Sequence, residues 1–237
     1  MQLLCRDEPD LLEWEDEILD ARPGAVLLAR TPVFPGGGGQ LPDVATLRWD
    51  GGEAAILGLD PDPRGWWHRF AGAAEPAGRV RISIDPGFRH LMRELHTLAH
   101  VTNAIVFRSF GGARLTGAQL SADGTFRVDF DLPGVDPDRL RTLADPINRV
   151  IAADLPIRAF HMPWDEAAQV PGLFRSENVS PPRQADGNVR IVEIGDLDRQ
   201  GCGGTHLAST GAARPVRILK VDNKGRHNRR VKVGFAA

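Results

Sequence analysis

The chain is 237 residues long, 42% hydrophobic and 25% charged, which suits a globular protein of one or two domains and excludes a fibrous or low-complexity one. Its 29 Lys and Arg against 31 Asp and Glu leave a formal net charge of −2, so it is not a uniformly basic polyanion binder. Two cysteines far apart, Cys5 and Cys202, exclude a disulfide framework and favour a reducing, intracellular setting.

From Arg22 to Gly87, proline and glycine punctuate short apolar runs such as Gly24–Leu28, Ala45–Trp49 and Ala54–Leu59. This is the pattern of a small β-rich, barrel-like domain over residues 1–85. Asp85-Pro86-Gly87 is a turn signal, and Phe88 to Val106 then runs without Gly or Pro, the clearest helix of the sequence. Ala113–Leu120 and Thr125–Leu132 flank Asp123-Gly124 as a hairpin, with Phe126, Val128, Phe130 and Leu132 alternating onto one apolar face. Asp136–Ala152 spaces Leu140, Leu143, Ile147, Val150 and Ile151 as a helix with Pro137 in its first turn. Ser176–Gly187 predicts an exposed polar loop, and Val189–Ile194, Val216–Val221 and Arg229–Phe235 predict strands. The class is α+β, with a β-rich domain over 1–85 and an α+β domain over 86–237. No run approaches the roughly 18 apolar residues of a membrane-spanning helix, and the acidic N-terminal stretch is unlike a signal peptide. A soluble, cytoplasmic protein is expected.

Three constellations carry chemistry. His96 and His100 are four apart on the predicted helix, so both imidazoles share one face, as a metal pair or by incidental spacing. Position 97 is Thr where a zincin has its catalytic Glu, which disfavours that hydrolase class. Cys202 and His206 are also four apart, with Gly203 and Gly204 between them. They form either a turn that aims a thiolate and an imidazole at one ion or a glycine-rich turn with a buried cysteine. Taken together, the two pairs make a three-nitrogen, one-sulfur donor set that suits zinc better than magnesium or calcium. The third constellation is Thr31–Asp43, with four consecutive glycines at Gly36–Gly39. It is either a flexible linker or a place where backbone meets a ligand closely, and Thr31 and Gln40 are its polar side chains.

In order and spacing these segments resemble the alanyl-tRNA editing proteins of the AlaX family and the homologous editing domain of alanyl-tRNA synthetases. The resemblance rests on His96-x-x-x-His100, Cys202-Gly-Gly-Thr-His206 and the glycine-rich segment ending in Gly-Gly-Gln40. Thr116-Gly117-Ala118-Gln119, Val128-Asp129-Phe130-Asp131, Val192-Glu193-Ile194-Gly195-Asp196, Thr210-Gly211 and Asn228-Arg229-Arg230-Val231 reinforce it. It runs from about residue 25 to 233 and looks like the medium-sized free-standing form. The resemblance implies a zinc-binding editing domain over 86–237, with Zn(2+) held by His96, His100, Cys202 and His206. It implies a trans-editing hydrolase that cleaves serine or glycine from the 3′ end of alanine tRNA. On that reading Thr31 is the candidate contact for the serine hydroxyl, Gln40 and Gln119 support it, and Gly38 and Gly39 line the pocket. The sequence departs from the family pattern after Asp43, where Val44-Ala45 follows, at Gly201, and at Ala212-Ala213. Two other readings stand beside it: a zinc hydrolase of a small ester or amide, and an RNA-binding module with a structural zinc.

The near-zero net charge hides a division. Residues 211–237 carry eight bases against Asp222, a net of +7, whereas the other 210 residues carry 21 bases against 30 acids, a net of −9. Lys220, Lys224, Arg226, Arg229 and Arg230 are therefore the expected phosphate contacts, with Arg89, His90 and Arg93 as candidates near the terminal nucleotide. His68, His161 and His227 receive no role.

Overall fold

The structure is a computed structural model that describes residues 2–175, 181, 183, 184 and 186–236, so most of the predicted 176–187 loop lies outside the described residues. The chain separates into two compact units, Met1–Gly37 with Leu41–His90 and Gly38–Gln40 with Leu91–Ala237.

The first unit is made of strands: β1 (Gln2–Leu3), β2 (Glu13–Glu17), β3 (Asp20–Arg22), β4 (Ala25–Leu28), β5 (Arg30–Thr31), β6 (Ala45–Trp49), β7 (Gly52–Asp62), β8 (Gly65–Phe70) and β9 (Arg79–Ile84). Seven of them form one antiparallel sheet in the order β2-β9-β6-β7-β8-β4-β3. Strand β7 pairs with β6 along its first part and β8 along its second, with a register shift between Ile56 and Gly58 that bends the sheet. The two edge strands are consecutive in the chain. Ile18 N donates to Gly78 O and Leu19 N to Leu27 O, each at 2.9 Å, so the short β2–β3 link reaches both edges. The expected barrel is thus a curled, open sheet, because no ladder joins β2 to β3. Val26, Leu28, Leu47, Phe70, Val80 and Ile82 fill its core.

Strand β2 carries much of the acidic N-terminal charge that sequence reading left without an element. Its Glu13, Glu15 and Glu17 face Ser83, Arg81 and Arg79 of β9 in register. Arg81 Nε donates to Glu15 at 2.9 Å and Ser83 Oγ to Glu13 at 2.9 Å. These exposed pairs set register and add little stability.

Helix α1 (Pro86–Ser109) follows, capped by Asp85, whose Oδ1 accepts from Phe88 N at 2.8 Å. Next come β10 (Leu115–Leu120), β11 (Thr125–Asp131), α2 (Pro137–Arg141), α3 (Ala144–Ala152), β12 (Ile157–Pro163), α4 (Trp164–Ala167), β13 (Asn188–Ile194), β14 (Asp198–Gly201), β15 (Val216–Lys224) and β16 (Asn228–Phe235). The predicted helix over 136–152 is two helices. Pro146 has no N–H, and its ring conflicts with the carbonyl four residues back at Thr142, where α2 ends. Two antiparallel sheets complete this unit, β10-β11-β16-β15 and β12-β13-β14. The predicted hairpin is β10–β11, and Phe126, Val128, Phe130 and Leu132 are buried as its alternation requires.

Candidate metal centre

His96 and His100 stand one turn apart on α1, and Cys202 and His206 lie in the turn that leaves β14. One potential ligand atom from each of these four residues lies within 4.8 Å of the other three. Cys202 Sγ is 3.6 Å from His96 Nε2 and 3.4 Å from His206 Nε2. Zinc bonds of about 2.0–2.1 Å to nitrogen and 2.3 Å to sulfur, at tetrahedral angles, put N and S about 3.5 Å apart. The donor set and these two edges therefore fit zinc.

Each imidazole is aimed by a group behind it. His96 Nδ1 is 2.7 Å from Gln40 Oε1, which also accepts from Thr205 N at 3.1 Å, while Gln40 Nε2 donates to Thr205 Oγ1 at 2.8 Å. His206 Nδ1 lies 3.3 Å from Thr97 Oγ1, which accepts from Leu207 N at 3.1 Å. His100 Nδ1 faces Asp198 Oδ2 at 3.7 Å. With a proton on each Nδ1, all three Nε2 lone pairs are left for a metal. Two buried arginines hold the turn itself. Arg93 Nε donates to His206 O at 2.7 Å, and Arg190 Nη1 donates to Cys202 O and Gly204 O, both at 3.0 Å.

Electrostatics favour the ligand form of the sulfur. Burial pushes the Cys202 thiol up, but His96, His100 and His206 around it hold it well below its ordinary value. Burial disfavours charge on His100 too, yet the Cys202 thiolate and Asp198 raise it to about 9. His206 is held well below the usual imidazole range by burial and by the neighbouring His96.

The glycine-rich segment explains the Gln40 contact. Gly36–Gly39 all take positive φ, from 62° to 124°, a conformation that side chains rarely adopt. Gly39 O accepts from Leu120 N at 2.8 Å, and a Cβ on Gly39 would sit 2.6 Å from Ala118 O. Gly39 lies against β10, and next to it Gln40 reaches His96. A Cβ on Gly38 would meet open space. Gln119 is exposed and accepts from Arg127 Nε at 3.2 Å, so it is not among the groups that hold the cluster.

In the first unit, Thr31 is fully buried on β5. His68 Nδ1 is 3.0 Å from Trp66 O, a pure acceptor, so that nitrogen carries the ring proton and Nε2 accepts from the Thr31 hydroxyl at 2.8 Å. Thr31 Oγ1 also accepts from Val33 N at 3.2 Å, which leaves it one spare lone pair. Burial lowers His68 to about 4, keeping it neutral. Arg89 and Arg93, expected near a nucleotide, are turned inward, and Arg89 is paired with Asp43. His90 is exposed.

Among the predicted phosphate contacts, Lys220, Lys224 and Arg226 are exposed on the β15–β16 hairpin, Lys220 with Asp222 at 2.9 Å. Arg230 makes two 2.8 Å hydrogen bonds to Asp129. Arg229 goes to the opposite face of β16, its guanidinium on the carbonyls of Val135 and Asn228. Strand alternation allows only one of these neighbours to face outward.

Asp198 was not singled out from sequence because nothing local marks it. It accepts from Gln200 Nε2 at 2.5 Å and pairs with Arg175 at 2.7 Å, and Asn103 Nδ2 donates to Gln200 Oε1 at 2.8 Å. Asp198→Asn is expected to weaken zinc affinity about 10–100-fold, read by competition with a chromophoric chelator. Unchanged affinity would limit the carboxylate to neutralising Arg175.

Residues 189–232 match the family described as the threonyl and alanyl tRNA synthetase second additional domain. An alanine–tRNA ligase of Frankia alni is 34% identical over 211 residues, 87% of this chain and 23% of the ligase, so the chain spans under a quarter of that relative's length. The alanyl-tRNA editing protein AlaX-M of Methanosarcina acetivorans is 33% identical over 216 residues, covering 87% of this chain and 86% of the relative. The AlaX-M protein of Saccharolobus solfataricus is 29% identical over 225 residues, 92% of each. With identity of this order running end to end, the chain belongs to the family of the alanyl-tRNA editing proteins AlaX-M.

Proposed function

We propose that the protein deacylates mischarged alanine tRNA in trans, cleaving the ester that joins serine, and secondarily glycine, to the 3′ end, at a zinc site formed by His96, His100, Cys202 and His206. The observation that carries this reading is that four-residue donor set, three of its members buried and His100 half-buried, in a chain related over most of its length to AlaX-M proteins. An aminoacyl ester is already activated, so positioning and charge supply most of the help it needs. Zinc held by His96, His100, Cys202 and His206 would supply a fixed positive charge for the developing oxyanion. The chain's own part is to hold that centre rigid. Gln40, Thr97 and Asp198 fix the imidazoles, and Arg93 and Arg190 fix the turn. Acting on charged tRNA, the protein works in the cytoplasm.

Thr31 is assigned the serine hydroxyl through its one remaining lone pair, and Gln119, Gly38 and Gly39 are the proposed substrate-contacting residues of the second unit. Thr31→Val is expected to lower the serine-over-alanine preference about tenfold with the fold retained, measured as paired deacylation rates. An unchanged preference would confine Thr31 to its contacts with His68 and Val33.

The deciding experiment compares deacylation of Ser-, Gly- and Ala-charged alanine tRNA with and without a chelator. Fast, chelator-sensitive loss of serine supports the reading. Four protein ligands also close a tetrahedron, the pattern of a structural zinc. Unfolding on chelation with no hydrolysis of any substrate would replace the enzyme with an RNA-binding module. Hydrolysis of simple esters that tRNA does not inhibit would replace it with a small-molecule hydrolase.

A further inference from the structure

The β10-β11-β16-β15 sheet buries one face and turns the other outward, and the outward face is ordered by register. One cross-strand row reads Gln119, Arg127, Lys232, Lys220. The next reads Gly117, Asp129, Arg230, Asp222. Acids and bases alternate in the second row, whereas the first places three bases opposite one another on adjacent strands, Arg127 reaching Asp129 of the second row at 2.6 Å and Lys220 reaching Asp222 at 2.9 Å. Like charges in direct opposition destabilise a sheet. Even with these pairs the two rows carry four bases, Arg127, Lys232, Lys220 and Arg230, against two acids, Asp129 and Asp222, so the face stays net positive.

The row also depends on an irregularity. Along β15 the register shifts between Ile218, opposite Val233, and Lys220, opposite Lys232, leaving Leu219 as an extra residue, 40% exposed. Without that bulge Leu219 would oppose Lys232, and Lys220 would fall on the buried face opposite Val231. The bulge re-aims Lys220 into the basic row, a use that bulges have beside binding sites. Adjacent strands lie about 4.8 Å apart, so the three bases span about 10 Å. Lys224 and Arg226 at the hairpin tip extend the positive surface.

We infer that this face, centred on Arg127, Lys232 and Lys220, is the surface that takes the phosphate backbone of duplex RNA. The inference rests on the tRNA substrate proposed above. A closely spaced polyanion is the partner that repays opposed like charges, since each base that neutralises a phosphate releases condensed counterions. The row reads no base edges; it sets register and orientation of the duplex on the protein.

The test is binding of uncharged alanine tRNA to the full chain, titrated over a range of salt, with Arg127→Gln, Lys220→Gln and Lys232→Gln singly and together. Each substitution is expected to weaken binding and to make the slope of log affinity against log salt shallower by about 0.7–0.9. Lys232→Arg is expected to keep the wild-type slope, which a merely structural role for lysine would not ensure. Arg48→Gln, an exposed base of the first unit paired with Glu53, is expected to leave the slope unchanged. In deacylation the triple variant is expected to raise KM with kcat retained. Slopes and affinities unchanged in the triple variant would overturn the surface, as would equal losses in Arg48→Gln. The two proposals fail separately. RNA binding that loses slope in the variants without any deacylation sinks the editing reading alone, and deacylation with a wild-type KM in the triple variant sinks the surface alone.

Discussion

Gly204→Ala is expected to abolish binding of the zinc proposed for the cluster while leaving the secondary structure intact. An added Cβ at position 204 would overlap Cε1 and Nδ1 of His96 and stand 2.8 Å from Gln40 Oε1. The imidazole cannot retreat, because helix α1 fixes its backbone and Gln40 fills the space behind Nδ1. Nor can the turn move away, since Arg190 binds the carbonyls on both sides of Gly203 and Gly204 N donates to Cys202 Sγ at 3.4 Å. One methyl group therefore pushes His96 or Cys202 out of the common sphere. Zinc content by atomic absorption is expected to drop from stoichiometric to a small fraction, with far-UV circular dichroism unchanged. Full metal content in Gly204→Ala would show that the turn relaxes and that the four residues are less rigidly held than their contacts imply.

The second large effect is one of stability. Arg89→Met is expected to cost about 3–5 kcal/mol, because it strands the Asp43 carboxylate in a dry interior. Arg89 is 1% exposed and every arm of its guanidinium is committed. Nε and Nη2 donate to the two Asp43 oxygens at 2.9 and 2.5 Å, Nη2 also donates to Pro32 O and Nη1 to Pro9 O, both at 2.8 Å. Asp43 Oδ2 further accepts from Phe34 N at 2.6 Å. The pair ties the first turn of α1 to both ends of the Pro32–Asp43 segment. The double variant Arg89→Met, Asp43→Leu is expected to recover part of the loss, since removing both charges abolishes the stranded one. Denaturant midpoints of the two variants decide it. A single variant as stable as the parent would mean that water reaches Asp43.

What the sequence made legible was what local rules govern. Helix α1 shows because nothing from Phe88 to Val106 breaks it, and the β10–β11 hairpin because Asp123-Gly124 and a period of two agree. The His96, His100, Cys202 and His206 cluster shows because four-residue spacing on a helix and across a glycine turn each converge on a point. The rest depended on partners distant in sequence. Strand β2 is too acidic for strand propensity and is held by its ladder to β9 and by Trp14 packed on the core, with Arg79 and Arg81 opposite its acids. The destination of Gln40 is a threonine 165 residues away. Composition alone makes the glycine run equally a linker; the contact of Gly39 with β10 is what distinguishes it. The outward or inward fate of Arg229 and Arg230 turned on the register of β16, which their identity does not reveal.

The link between β2 and β3 has a consequence for the order in which the first unit assembles. Strand β2 is synthesised well before its ladder partner β9, which begins at Arg79, about 60 residues later. Strand β4 likewise waits for β8. Until both partners have emerged, the segment up to β5 can form only the three-residue β3–β4 and the two-residue β1–β5 pairings, with Trp14, Ile18 and Val26 short of the core they share. Because a single short link joins both edges, docking of β9 draws in the strand that carries the other edge. Closure of this sheet is thus one late, cooperative event, and the growing chain is most vulnerable to misassociation in the interval before Ile84 is made.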